Sequence, residues 1–236
     1  LSDLEGPLPK GQIGSLKMSR LILGNNLIGG WAHSRDLIYV PRLFKEYNNE
    51  QKVFETIYLA ERAGIDTMMV VNAQFPLFHK YVETCKGHMQ TMCQVYPSPK
   101  DITTDIDTAI DNGVTTMYVQ GAVCDRLVKT GQVDVVGKAL EHIKKQGYVG
   151  GIGGHSIQVP IACEAAGLEP DYYVKTCHHD QYWSATPKSA RKDNCWYPNG
   201  GDQYSYTGAT LDHGEYHDNM WCLDPEETIE IMKRVT

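Results

Sequence analysis

Short apolar runs alternate with amphipathic segments along the chain, and six strand-then-helix units can be counted. The first run, RLILGNNLIGG over 20–30, reads as a strand, and NNEQKVFETIYLAERAG over 48–64 as the helix after it. In that helix Val53, Phe54, Ile57, Tyr58 and Ala60 share one face, and Gly64 stands where a left-handed residue ends a helix. IDTMMVV is a second strand and FPLFHKYVETCKG its helix; MQTMCQVYP is the third strand. SPKDITTDIDTAIDNG follows as a helix, with Asp101 near its start and Gly113 at its stop. VTTMYVQG and VDVVGKALEHIKKQG form the fourth unit, whose basic end lies at the helix C-terminus, where the dipole favours cations. YVGGIGGHS with QVPIACEAAG makes the fifth unit, and DYYVKTCHH the sixth strand. DPEETIEIMKRVT is the closing helix, with Asp224 as N-cap and Pro225 in its first turn.

Strands and helices alternating at this interval imply parallel βαβ units, and nearly all-apolar strands suit a sheet covered on both faces. A (β/α)8 barrel and an open doubly wound sheet both meet that description. A barrel needs two strand–helix units beyond the six counted, so on that reading the last two are missing from this chain, whereas an open six-stranded sheet needs none. The whole of 1–236 is expected to be a single α/β domain with a long insertion at about 179–223, after strand six. That stretch is rich in Tyr, Asp and Gly and carries Trp183, Trp196 and Trp221, which points to a packed insertion.

Composition narrows the function classes. Hydrophobic residues make up 42% of the chain and charged residues 22%, as in an ordinary globular protein. A formal charge of −7 and the lack of any Lys/Arg run argue against nucleic acid or an anionic membrane as partner, and favour a small polar substrate. No apolar run approaches the ~20 residues of a membrane span. The N-terminus LSDLEGPLPK has no basic and apolar leader pattern, so the compartment is cytoplasmic or, if a leader preceded Leu1, periplasmic or secreted. Seven cysteines without a repeated spacing read as mostly reduced thiols, with Cys195 and Cys222 as the pair that flanks the insertion's histidines. A homo-oligomer is left open.

LPKGQIGSLKMSRLILGNNLIGG resembles the opening of the aldo/keto reductases, a short β-hairpin leading into the first barrel strand. AERAGIDTMMVVNAQF is similar to that family's second-strand region, and GYVGGIGGHSIQVPIACEAAGLEPDYYV to its fifth unit. The resemblance implies a (β/α)8 barrel with its active site at the carboxyl ends of the strands. The family's reductase residues do not follow. Met69 to Asn72 stand where its Asp is expected, no Tyr occurs in NAQFPLFHK, and Gln94 and Gln120 stand near the expected Lys and His. A neutral amide cannot donate a proton to a forming alkoxide. The chain is therefore expected to have lost NADPH-dependent reduction; a residual reductase would need Tyr118 or Lys175 as donor.

In a barrel the strand ends gather at one mouth. His33 follows strand one, Asn72 strand two, His155 strand five and His178 or His179 strand six, with Val174, Thr176 and His178 sharing one side of that strand. LDHGEYHDNMWC in the insertion adds His213, Glu215 and His217, which share a face if extended. Imidazoles with a carboxylate suit Zn, Mn, Fe or Ni, so His155, His178, His213 and His217 are the candidate metal ligands. Glu215, His33 and Asn72 are the candidate catalytic groups, and Trp31, Arg35, Asp36 and Trp183 the candidate substrate contacts. Metal-free histidine acid/base chemistry and purely structural roles are the competing readings. His79, His88 and His142 lie in or beside helices and read as surface residues. The glycines of GGIGGHS read as relief for close backbone approach, not as a phosphate loop. The favoured function is a non-redox lyase, isomerase or hydrolase acting on a small polyhydroxylated substrate with a divalent metal; an NADPH-dependent reductase and an inactive binding barrel are the alternatives.

Overall fold

The computed structural model describes residues 8–31, 39–177 and 224–236. Lys10–Ile13 (β1) and Leu16–Ser19 (β2) form an antiparallel hairpin, paired from Lys10↔Ser19 to Ile13↔Leu16. The apolar runs that follow form β3 (Thr67–Val71), β4 (Gln90–Val95), β5 (Thr116–Val119), β6 (Gly150–Gly154) and β7 (Tyr172–Lys175). They pair in parallel, in sequence order, as one five-stranded sheet. A doubly wound sheet reverses direction at a switch point. Here each new strand is added on the same side as the last, so the sheet is wound as a (β/α) barrel wall is.

The helices among the described residues are α1 (Asn26–Gly29), α2 (Val40–Tyr47), α3 (Glu50–Arg62), α4 (Phe75–Cys85), α5 (Thr104–Asp111), α6 (Gly121–Lys129), α7 (Val133–Lys145), α8 (Gln158–Ala165) and α9 (Pro225–Val235). Caps sit where the sequence placed them. Asp224 accepts the Glu226 and Glu227 amides at 3.0 Å, Asp101 accepts Thr104 N–H at 3.1 Å, and Gly64 ends α3 with φ +89°.

Three elements depart from the sequence reading. The first expected strand, RLILGNNLIGG, makes only a bridge at Leu23↔Met68 before Asn26 opens α1. The Gly-Asn-Asn run breaks the extended chain, yet Leu23 still fills the strand's place: its N–H bonds Thr67 O at 2.9 Å and its carbonyl accepts Met69 N–H at 2.8 Å. α2 and α6 were not anticipated. α6 is spliced between β5 and α7 and buries Val123, Cys124 and Leu127 at helical spacing.

The strands' alternation separates two apolar layers. Met68, Val70, Cys93, Val95, Met117, Val119 and Ile152 face the helices, against Ile57, Phe75, Ile106, Leu140, Ile143 and Val159. Each fully buried side chain of this size contributes about 1.5–3 kcal/mol. Met69, Met92, Tyr118, Tyr172 and Val174 form the inner face with Met18 of the hairpin. β6 offers this face only glycines, and Tyr172 fills the space: a Cβ on Gly151 would lie 2.4 Å from its ring.

The hairpin closes the amino ends of the strands. Gln90 Nε2 donates to Lys17 O at 3.0 Å, and Ser19 N–H donates to Asp66 Oδ1 at 2.7 Å just before β3. Lys10 Nζ lies 2.8 Å from the other Asp66 oxygen. Partial burial alone would raise the Asp66 carboxyl, but the bonds from Lys10, the Ser19 amide and the Thr67 hydroxyl outweigh it and hold the group at about 2. A depressed carboxyl stabilises the fold fully above its unfolded pKa, and that stabilisation fades as pH falls toward the folded value. Asp66→Asn is therefore expected to cost on the order of 1–2 kcal/mol at pH 7, with the difference from wild type shrinking as pH drops from about 4 toward 2. Urea unfolding across that range measures it; a pH-independent difference counts against the anchor.

Candidate active site

The carboxyl end of β6 runs directly into His155 and Ser156, and α6 crosses beside them. Gln120 caps α6, its Oε1 accepting Val123 N–H at 3.0 Å. Two glycines let these backbones meet. A Cβ on Gly153 would lie 2.8 Å from both Gly121 N and Val119 O, and one on Gly121 would lie 2.9 Å from His155 Cε1. The glycines of GGIGGHS thus relieve steric contact, as expected from the sequence, and no phosphate loop is needed to account for them.

That approach brings Asp125, on α6, under the strand end. Its side chain is 0% exposed. One carboxylate oxygen accepts the Ser156 amide at 3.0 Å, both accept the His155 amide at 3.2 Å, and Oδ2 meets His155 Nδ1 at 2.6 Å. A buried carboxylate is tolerated when donors surround it, and here three groups of one turn do so. An ionised carboxylate only accepts, so Nδ1 carries the hydrogen and Nε2 carries the lone pair of the neutral ring. The imidazole is 16% exposed. Lys175, at the end of β7, donates from Nζ to His155 O at 2.6 Å, tying the two strand ends together. The arrangement presents an imidazole nitrogen, oriented by a buried carboxylate, at the carboxyl end of a parallel sheet. Such a group can accept a proton or ligate a metal.

The other expected site residues are placed as follows. Asn72 begins a single 3-10 turn after β3, and its Nδ2 donates to Asp105 O at 2.8 Å and Asp105 Oδ1 at 2.7 Å. Its amide is thus engaged with α5 in the helix layer and is not brought to His155. Trp31 is half-buried just after α1, where its ring covers Gly29. Val174 lies on the inner face, as the alternation required. His33, Arg35, Asp36, His178, Trp183, His213, Glu215 and His217 lie outside the described residues, as do Cys195 and Cys222. Among the described residues no three His, Cys, Asp or Glu side chains gather as a metal site. His79 and His88 are exposed, and His142 pairs with Asp107 at 2.6 Å between α7 and α5.

Asp125 was missed. Its signal was an acidic residue inside the apolar period Val123, Cys124, Leu127, immediately after a strand end: a charge placed where burial is forced.

No family model matches the chain, and no curated protein matches it. The aldo/keto reductase resemblance therefore stands on the quoted residues alone. Solved structures match over part of their course. They include a protein assigned as a deoxyribose-phosphate aldolase from Coccidioides immitis, with TM-score 0.43 and 10% identity over 54% of each chain. QR15, an aldolase, matches at TM-score 0.42 and 15% identity over 56% of this chain and 62% of that one. A truncated 3-deoxy-D-arabino-heptulosonate 7-phosphate synthase from Thermotoga maritima matches at 0.39 and 9%, over 77% of this chain and 60% of that one. The chain thus spans less than two thirds of the length of these structures, at scores that transfer no chemistry.

Replacing Asp125 by Asn tests the orientation. The amide presents one acceptor oxygen in place of two, leaving one of three buried donors without a partner, at a cost of roughly 1–3 kcal/mol in stability. Nitrogen-15 NMR is expected to show His155 protonated on Nδ1 in the neutral wild-type ring, and a mixture of tautomers in the variant. An Nε2–H tautomer in the wild type contradicts the geometry.

Proposed function

We propose that the protein is a non-redox enzyme that moves a proton on a small, polyhydroxylated carbonyl compound, with His155 as the working imidazole. The observation that carries this reading is Asp125, a wholly buried carboxylate whose bonds all go to His155 and the turn that holds it. In the reaction His155 Nε2 takes a proton from a carbon beside the substrate carbonyl or from a hydroxyl one carbon further away. The imidazolium that forms is stabilised by the Asp125 carboxylate across Nδ1. Returning that proton to the former carbonyl carbon, while the proton of the adjacent hydroxyl passes to the former carbonyl oxygen, isomerises the substrate. Removing the hydroxyl proton instead lets the carbon–carbon bond break, and its electron pair is protonated on the departing carbon. The class is thus isomerase or lyase.

A divalent ion, Zn, Mn, Fe or Ni, fits the same group, since a carboxylate behind a histidine is the usual support of a metal-ligating imidazole. His178, His213 and His217 are the candidates to complete that set, with Glu215 or His33 then moving the proton. The reductase reading gains nothing here: the Gln120 amide caps α6, and the Gln94 amide is bonded to Asn25.

The test is hydrogen–deuterium exchange at the carbon beside the carbonyl, followed by proton NMR in D2O over a panel of small aldoses and ketoses. Wild type is expected to catalyse exchange on at least one of them, and His155→Ala to lose about 10²–10⁴-fold in rate. Undiminished exchange in that variant overturns the reading. Elemental analysis separates the two roles of Nε2. Metal that co-purifies with wild type and is lost from the variant makes it a ligand, and activity without metal makes it the base.

A further inference from the structure

Three carboxamides meet at the carboxyl ends of the first strands, on three separate elements. Gln94 lies two residues on from Met92 in β4 and pairs in register with Val71 and Tyr118, so it faces inward among apolar neighbours. Its Nε2 donates to Asn25 Oδ1 at 3.2 Å, and Asn25, 2% exposed, donates from Nδ2 to Gln74 Oε1 at 3.0 Å. The Val71 amide donates to the same Gln74 oxygen at 3.0 Å. A backbone N–H can only donate, so this contact settles which end of the Gln74 amide is oxygen. Gln74 Nε2 then points the other way, buried, with no acceptor among the described residues.

A buried donor left without an acceptor costs about 1–3 kcal/mol, and native proteins leave few. The chain of amides makes the cost more pointed. Each amide polarises the next, so the last N–H in the series is the strongest donor and is the one left over. Tyr118, paired in register with Gln94, has its hydroxyl 3.8 Å from the Met69 sulfur, and burial, with Tyr172, pushes it well above the ordinary phenol value, so it remains neutral. The amide donor and acceptors are uncharged.

We propose that Gln74 and Gln94, with Asn25 as the residue that positions them, form a subsite that binds neutral hydroxyl groups. A hydroxyl both accepts and donates: it accepts from Gln74 Nε2 and donates to an amide oxygen. Phosphate and carboxylate only accept, and this cluster offers them no cation. The inference deepens the reading of a polyhydroxylated substrate and rests on it for the role, though not for the geometry.

The test is a titration of the full chain with ribitol, erythritol and glycerol, alongside glycerol 3-phosphate, followed by ligand-observed NMR. Gln74→Glu keeps Oε1 for Val71 and Asn25 and replaces only the unpartnered donor; Gln94→Glu instead removes the donor that holds Asn25 Oδ1, and thermal melts check that both fold. Wild type is expected to bind a neutral polyol saturably, glycerol 3-phosphate no more tightly than glycerol, and Gln74→Glu about tenfold more weakly or worse. Equal polyol binding by a folded Gln74→Glu overturns the inference, as does tighter binding of the phosphate. If neither variant folds, wild type decides: no saturation with any of the three polyols overturns it. His155→Ala separates the two readings. Exchange lost in that variant while Gln74→Glu binds normally defeats the subsite alone. Polyol binding lost in Gln74→Glu while exchange survives in His155→Ala defeats the proton-transfer reading alone.

Discussion

A carboxylate with no exposure to water must be surrounded by donors or be neutralised, and in this fold Asp125 is surrounded by a single turn. The helix that carries it could not come so close to β6 if either Gly121 or Gly153 bore a side chain. The two glycines, the carboxylate and the imidazole therefore form one unit. Removing any of them changes what the others touch.

The two ends of the inner face are built differently. At the amino ends the hairpin is fastened by a charge, with Asp66 between Lys10 and Ser19 and Gln90 holding Lys17. At the carboxyl ends lie the amides of Asn25, Gln74 and Gln94 and, after β6, the imidazole of His155. Between the ends lie Met69, Met92, Tyr118 and Val174. The hairpin is thus fastened through a charge, and the amide cluster by neutral hydrogen bonds.

Much of the fold was legible in the sequence, because strands buried on both faces and helices ending in glycine leave strong periodic marks. β3 to β7 fall within the apolar runs, and the caps at Asp224 and Gly64 fall where expected. RLILGNNLIGG misled because its apolar content is strand-like while its Gly-Asn-Asn centre turns the chain. α6 was hidden because it is short and directly follows a strand, so its apolar residues read as the strand's continuation. The site was only partly legible. His155 could be read from its place after a glycine-rich strand. Asn72 shared the same kind of position, but the 3-10 turn that follows β3 rotates its amide toward α5. Asn25 and Gln74 left no motif, and Asp125 only a charge inside an apolar period, since their roles come from contacts between elements distant in the chain.

The charges of the protein bear on what it binds. A formal net charge of −7 repels small anions over the distance of a Debye length, about 8 Å at physiological salt, unless local cations reverse the field. At the described strand ends the one ammonium, Lys175, is directed at the carbonyls of His155 and Thr176. An anionic substrate would thus lose solvation without gaining a counter-charge from these groups, whereas a neutral polyol exchanges hydrogen bonds with water for hydrogen bonds with amides at little net electrostatic cost. Neutral hydrogen bonding discriminates well, because an analogue lacking the hydroxyl leaves buried amide groups unpaired. On the proposed reading the amides would bind a hydroxylated chain, and His155, its tautomer set by Asp125, would move the proton.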